Sequence, residues 1–215
     1  TNLANASVVV TRQAPAGTTL VPLYLNELGQ ATTARTVNRL YAATSSNGEA
    51  RWYIDYLGGP VKAVTDAPQC NLIEMGAGQT IVPHFHPVDQ FQIFVQGSGS
   101  LGRHQLAMLA LHYTDHHTAY GPIHAGPGGL ALFTLRSQSD PGAIYIDKPG
   151  YREHLRPSPR RYLIGENIAL SVPTVMQRRA EPVFESVLPA DADTRDGLGA
   201  DMLRLGAGQR WRAPD

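Results

Sequence analysis

An all-β fold, an antiparallel sandwich or barrel, is what the sequence predicts, and two observations carry it. Between residues 51 and 148, short segments rich in β-branched and aromatic residues follow one another, each bounded by Gly, Pro, Asn or Asp. With 21 Gly and 16 Pro among 215 residues, turns are plentiful and long helices have little room.

The elements follow in order. "SVVVT" (7–11) reads as a strand and "APAGTT" after it as a turn. Residues 25–43 hold enough helix formers for a short helix, weakened by Gly29 and by threonines. The strands are then "RWYIDYL" (51–57), "CNLIEM" (70–75), "TIVPHFH" (80–86), "QFQIFVQG" (90–97), "LAMLALHYT" (106–114), "LALFTLRS" (130–137) and "AIYIDK" (143–148). "PGYREHLRPSPRRY" (149–162) reads as a long loop, and "VLPADADTRDGLG" (187–199) as a linker or exposed excursion. The resulting division is an N-terminal extension over 1–45, a barrel over 46–155, and a C-terminal extension or the start of a second repeat over 156–215. The second repeat is suggested by Leu205-Gly-Ala-Gly-Gln, which matches Met75-Gly-Ala-Gly-Gln; chance or reuse of a turn is the other reading. In this alignment Pro214 stands where His84 does.

Bulk properties exclude several classes of function. Eighteen basic residues balance eighteen acidic ones, and the basic cluster "RPSPRRY" lies among prolines, so nucleic acid is not an expected partner. The apolar runs are far shorter than a membrane span, and one cysteine, Cys70, permits no internal disulfide. A soluble cytoplasmic protein is the expectation.

The chemistry concentrates in "VPHFHPVDQFQIFVQG" (82–97). Side chains at i and i+2 of a strand share a face roughly 6.5–7 Å apart, so the imidazoles of His84 and His86 can converge on one ion. Gln90, on the next strand, can point to the same spot, and Gly97 is expected to end that strand. If Gln90 faces inward, so do Gln92 and Phe94, while Phe91, Ile93 and Val95 pack outward, against a second subunit in a homodimer. Tyr113 and Tyr120 can reach the pocket mouth. His116 and His117, in a polar turn, are expected to be exposed.

Gly78, five residues, His84-Phe-His86, three residues, Gln90, six residues and Gly97 resemble the first motif of the cupin superfamily, with glutamine in place of its glutamate. "AYGPIHAGPGGLALFTLR" (119–136) resembles the second motif more loosely. The resemblance implies a jelly-roll barrel, the cupin double-stranded β-helix, and a metal site of His84, His86, Gln90 and His124. It implies a divalent ion, Fe(II) first, with Mn, Ni or Zn as alternatives. A glutamine ligand offers only a neutral amide oxygen, so such a site would keep more of the ion's positive charge. The leading expectation is a dioxygenase acting on a small oxygenated or aromatic compound. A non-catalytic small-molecule-binding cupin and a Lewis-acid lyase or isomerase are the alternatives. Gln92, Phe94, Tyr113 and Tyr120 are the expected pocket residues.

Overall fold

A computed structural model describes residues 51–59, 61–170, 181–188 and 196–212, together with the backbone of 24–25, 31–32, 40–44 and 50. The predicted strand over 7–11 lies outside these residues. Of the predicted helix over 25–43, the described parts are strand, consistent with the β-branched threonines that weakened it.

Fifteen strands are described: β1 (Tyr24–Leu25), β2 (Ala31–Thr32), β3 (Leu40–Thr44), β4 (Ala50–Leu57), β5 (Gln69–Met75), β6 (Thr80–Ile81), β7 (His84–Phe85), β8 (Gln90–Leu101), β9 (His104–Leu106), β10 (Leu111–Thr114), β11 (Ile123–Arg136), β12 (Ile144–Tyr145), β13 (Leu163–Gly165), β14 (Val183–Leu188) and β15 (Ala200–Arg204). The main sheet runs β13-β10-β8-β11-β5-β4-β3, all antiparallel, with β6 on β11 and β9 on β8. β8 and β11 build the barrel because each serves two neighbourhoods. The C-terminal part of β11 pairs with β5 and its first residues pair with β6; β8 begins against β10 and ends against β9.

The bend that allows this is visible in the register, which slips between Ala125 and Leu130 opposite β8. Gly97 therefore does not end its strand but lies inside β8, at φ +77°. A Cβ there would fall 2.0 Å from the carbonyl oxygen of Gly129, and one on Gly99 would fall 2.0 Å from that of His124. Glycine lets the two long strands touch where they fold over. Gly97→Ala is expected to cost at least about 2 kcal/mol, combining overpacking with left-handed backbone strain, in chemical denaturation. Wild-type stability in that variant would refute this account of the motif glycine.

One half of the barrel is filled by apolar side chains, among them Ile73, Ile81, Phe94, Leu101, Ile123 and Leu132. Below this layer the inner face changes character. Asp55, Asn71, Thr134, Gln92 and His112 are successive register partners across β4, β5, β11, β8 and β10, and all five are buried. A polar row thus crosses five strands, and the site lies against it.

The outer face of β8 meets the chain itself. Phe91 and Ile93 pack in a cluster with Leu111, Tyr113, Leu163 and, from the C-terminal hairpin region, Val187 and Leu188. The two Gly-Ala-Gly-Gln segments form the same turn: Gly76 N–H donates to Gln79 Oε1 and Gly206 N–H to Gln209 Oε1, each at 2.7 Å. Gly78 and Gly208 have φ of +71° and +78°. The loop over 149–162 contains two short 3-10 turns, Tyr151–Glu153 and Pro159–Arg161. No helix among the described residues is long and apolar enough to cross a membrane.

Candidate functional site

His84 and His86 flank one strand position on β7 and its end, and both are buried, with ring centroids 5.1 Å apart. His84 Nδ1 lies 2.8 Å from the carbonyl oxygen of Val82, which can only accept, so that nitrogen carries the proton and Nε2 carries the lone pair. His86 Nδ1 lies 2.5 Å from Asp140 Oδ2, which fixes the same tautomer. Among the described residues neither Nε2 has a hydrogen-bond partner, and both rings line a cavity of about 160 Å³.

Electrostatics keep the imidazoles neutral. Burial, reinforced by His86, takes His84 down to about 3. Burial and the Arg136 charge lower His86, against an upward pull from Asp140. For Asp140 burial alone acts upward, but the charge His86 carries when protonated, the hydrogen bond from its Nδ1 and the Arg136 charge outweigh it and bring the carboxyl to about 2. The pair is therefore a carboxylate holding a neutral imidazole.

Arg136 is the hub of the lower layer. Its Nη1 donates to Gln69 Oε1 at 2.6 Å, its Nε and Nη2 donate to Gln90 Oε1 at 3.1 and 2.9 Å, and Nη2 lies 3.4 Å from Asp140 Oδ2. Gln90 passes the contact on, its Nε2 donating to the Tyr120 hydroxyl at 2.5 Å. An amide here accepts from Arg136 and donates to Tyr120 at once, which leaves the Tyr120 proton free for another acceptor; a glutamate would have to take that proton.

Tyr120 stands among imidazoles, its ring 4.6 Å from His84 and 4.9 Å from His112. It reaches this place because His84 and Tyr120 form a β-bridge, exchanging backbone hydrogen bonds of 3.1 and 3.0 Å. Burial raises its hydroxyl well above the ordinary tyrosine range, so it stays protonated. The Gln92 amide lies between Tyr120, at 3.4 Å, and His112 Nδ1, at 2.8 Å. His112 Nε2 faces the carbonyl oxygen of Arg161 at 2.8 Å, and burial drops this imidazole to about 4. A neutral ring has one N–H, and the carbonyl takes it. The amide therefore turns its NH₂ toward His112 and its oxygen toward Tyr120. A directed chain of hydrogen bonds then runs from Arg136 through Gln90, Tyr120 and Gln92 to His112.

Of the expected metal ligands, the structure brings His84 and His86 together, with Tyr120 beside them, but does not add His124 or a free Gln90 oxygen. His124 is exposed on β11, between inward Ile123 and Ala125, with Nδ1 2.8 Å from Thr80 Oγ1; strand alternation sends it outward. Gln90 is buried, but its oxygen already accepts twice from Arg136. No group of three or more His, Cys, Asp or Glu among the described residues could hold a metal ion. Two neutral imidazoles beside a guanidinium are a poor donor set for a divalent cation, so the residues do not fit the metal implied by the resemblance.

Of the expected pocket residues, Gln92 and Tyr120 line the cavity. Phe94 faces inward but lies in the apolar core, one row above. Tyr113 is on the other face, in the outer cluster, with its hydroxyl donating to Asp115 at 2.8 Å. His116 is exposed, as expected, and lies 2.7 Å from Asp89, whereas His117 is half-buried, its backbone N–H donating to the carbonyl oxygen of His86 at 2.7 Å. Sequence reasoning missed Arg51, Asn71, Thr134, Arg136 and Asp140, all of which line the cavity. For Arg51 the signal was the alternation Arg51-Trp-Tyr53-Ile-Asp55, whose inward members are polar; for Asp140, inside "SQSDPG", there was none.

No family model matches the chain, and no curated protein matches it. Several solved structures align with part of the chain. The polyketide cyclase RemF from Streptomyces resistomycificus aligns with a TM-score of 0.41 and 15% identity over 56% of this chain and 96% of its own. A cupin-2 domain from Rhodospirillum rubrum aligns at 0.41 and 13% over 50% and 74%. Oxalate decarboxylase from Bacillus subtilis aligns at 0.40 and 12% over 51% of this chain and 31% of its own. The fold is all-β, an antiparallel barrel in which β8 and β11 each serve two strand neighbourhoods.

Proposed function

We propose that the barrel binds a small organic anion and that His86, held by Asp140, removes a proton from it. The observation that carries this reading is Arg51. Its side chain lines the cavity, the residue is 3% exposed, and among the described residues it has no ion-pair partner. Since none of the described residues gives this buried cation a counter-charge, an anionic ligand in the cavity would supply one. Arg136 does not compete for that role, since Asp140 already balances it.

The chemistry follows from the neighbours. His86 offers a lone pair at Nε2 with a carboxylate behind Nδ1, the arrangement of a general base. Proton abstraction beside a carbonyl or carboxylate leaves negative charge on oxygen, where Arg51 stabilises it; the proton waits on His86 as imidazolium, supported by Asp140. Return of the proton to a neighbouring atom gives an isomerase, and departure of a β-substituent gives a lyase. No step runs through a metal, and elemental analysis of the untreated protein is expected to find well below one ion per chain.

Exchange of α-protons for deuterium in D₂O, followed by NMR over a panel of small carboxylic acids, tests the reading. His86→Asn is expected to slow exchange by about 10²-fold or more, and Arg51→Met to abolish binding. Binding without exchange would reduce the protein to a non-catalytic binding cupin. Stoichiometric iron with oxygen uptake would restore the dioxygenase.

A further inference from the structure

Asn71 and Thr134 face each other as register partners on β5 and β11, in the middle of the buried polar row, and both line the cavity. They are 5% and 1% exposed, and neither Asn71 Oδ1 nor Thr134 Oγ1 has a hydrogen-bond partner. A buried oxygen left unserved is a standing cost, and native structures keep few of them. Two side by side, on one wall of one cavity, can be served together by a single group bound there.

The chemistry of the pair narrows that group. Asn71 Oδ1 only accepts, while the Thr134 hydroxyl can donate. A group satisfying both must donate to Asn71 Oδ1 and can either donate to or accept from Thr134. A carboxylate or ketone cannot donate; an ammonium could serve both oxygens but would enter a cavity that Arg51 and Arg136 already line, whereas a hydroxyl serves both without adding positive charge. Gln92, next in the row, is not available, because its amide is engaged by His112 and Tyr120. The anion end is set by Arg51, four residues from the row along β4, roughly 13 Å of strand. Its side chain hydrogen-bonds that of Tyr53, the next inward-facing residue along β4.

Resting on the anion-binding reading, we infer that the ligand is a short hydroxycarboxylic acid, its carboxylate on Arg51 and its hydroxyl between Asn71 and Thr134. Arg51 selects charge, and the Asn71–Thr134 pair selects the hydroxyl.

Calorimetric titration of the full chain with butanoate and with α-, β- and γ-hydroxybutanoate separates these two roles. In the wild type, one hydroxy isomer is expected to bind at least about tenfold more tightly than butanoate. Thr134→Val should abolish this preference while leaving butanoate affinity within about threefold, and Thr134→Ser should retain it. Since valine replaces an unserved hydroxyl at nearly constant shape, the ligand-free Tm of Thr134→Val should not fall. Equal affinity of the wild type for hydroxylated and plain acids, as when bound water alone serves the two oxygens, overturns the hydroxyl assignment. So does a preference that survives Thr134→Val. In either case, loss of all binding in Arg51→Met leaves the anion-binding reading standing. If none of the four acids binds the wild type, both fall.

Discussion

Arg136→Met is expected to destabilise the protein by about 3–5 kcal/mol, the cost of breaking a buried ion pair by removing one partner. The guanidinium side chain is 6% exposed and holds three groups at once: Gln69, Gln90 and Asp140, the last with a side chain only 1% exposed. Methionine fills the volume but leaves a carboxylate without its cation, the Gln90 oxygen without a donor, and the Gln69 oxygen with only the Asp140 N–H at 3.4 Å. Urea denaturation reads the loss directly. Adding Asp140→Asn should recover part of it, because the uncompensated charge disappears. A loss below about 1 kcal/mol would show that these contacts contribute little to stability.

Acid is expected to unfold the protein well before its carboxylates titrate. His84 and His112 sit at about 3 and about 4, both pulled down from 6.5 by burial, and His86 is lowered too. In the unfolded chain these imidazoles take up protons near 6.5, while in the folded chain they refuse them until much lower pH. Stability is therefore fully present above 6.5 and declines as the pH falls toward 4, by about 1.4 kcal/mol per pH unit for each imidazole taking part. Asp140, held at about 2, adds a further loss below the ordinary carboxylate value of 3.8. Denaturation curves between pH 7 and pH 4 measure the slope, and His112→Gln should make it shallower by up to about 1.4 kcal/mol per pH unit. A pH-independent stability over this range would mean that the imidazoles are not held neutral.

The sequence revealed the strands well and the site only partly. Short β-rich runs and turn residues located "RWYIDYL", "CNLIEM" and "QFQIFVQG" within a few residues, because their alternation is local. "TIVPHFH" breaks into β6 and β7, and "LAMLALHYT" into β9 and β10, since pairing with β11, β12 and β8 decides where a ladder stops. His84 and His86 were found because their relation is two residues along one strand. Their counterparts Asp140 and Arg136 lie about fifty residues away, and only the folded sheet brings them together. His124 misled because the motif fixes a spacing, while the direction of a side chain is set by alternation within β11.

The polar row also bears on how the chain selects its own pairing. In each of five strands one inward position carries Asp55, Asn71, Thr134, Gln92 or His112, and these positions stand in line only in the native register. Shifting β8 by one residue would turn Gln92 to the outer face and bring Phe91 or Ile93 against Thr134. An apolar core tolerates such a slip more readily than a row in which each polar group needs a particular neighbour. The residues that shape the binding cavity thus also oppose misaligned barrels, and a variant with this row made apolar should lose uniqueness of fold before it loses compactness.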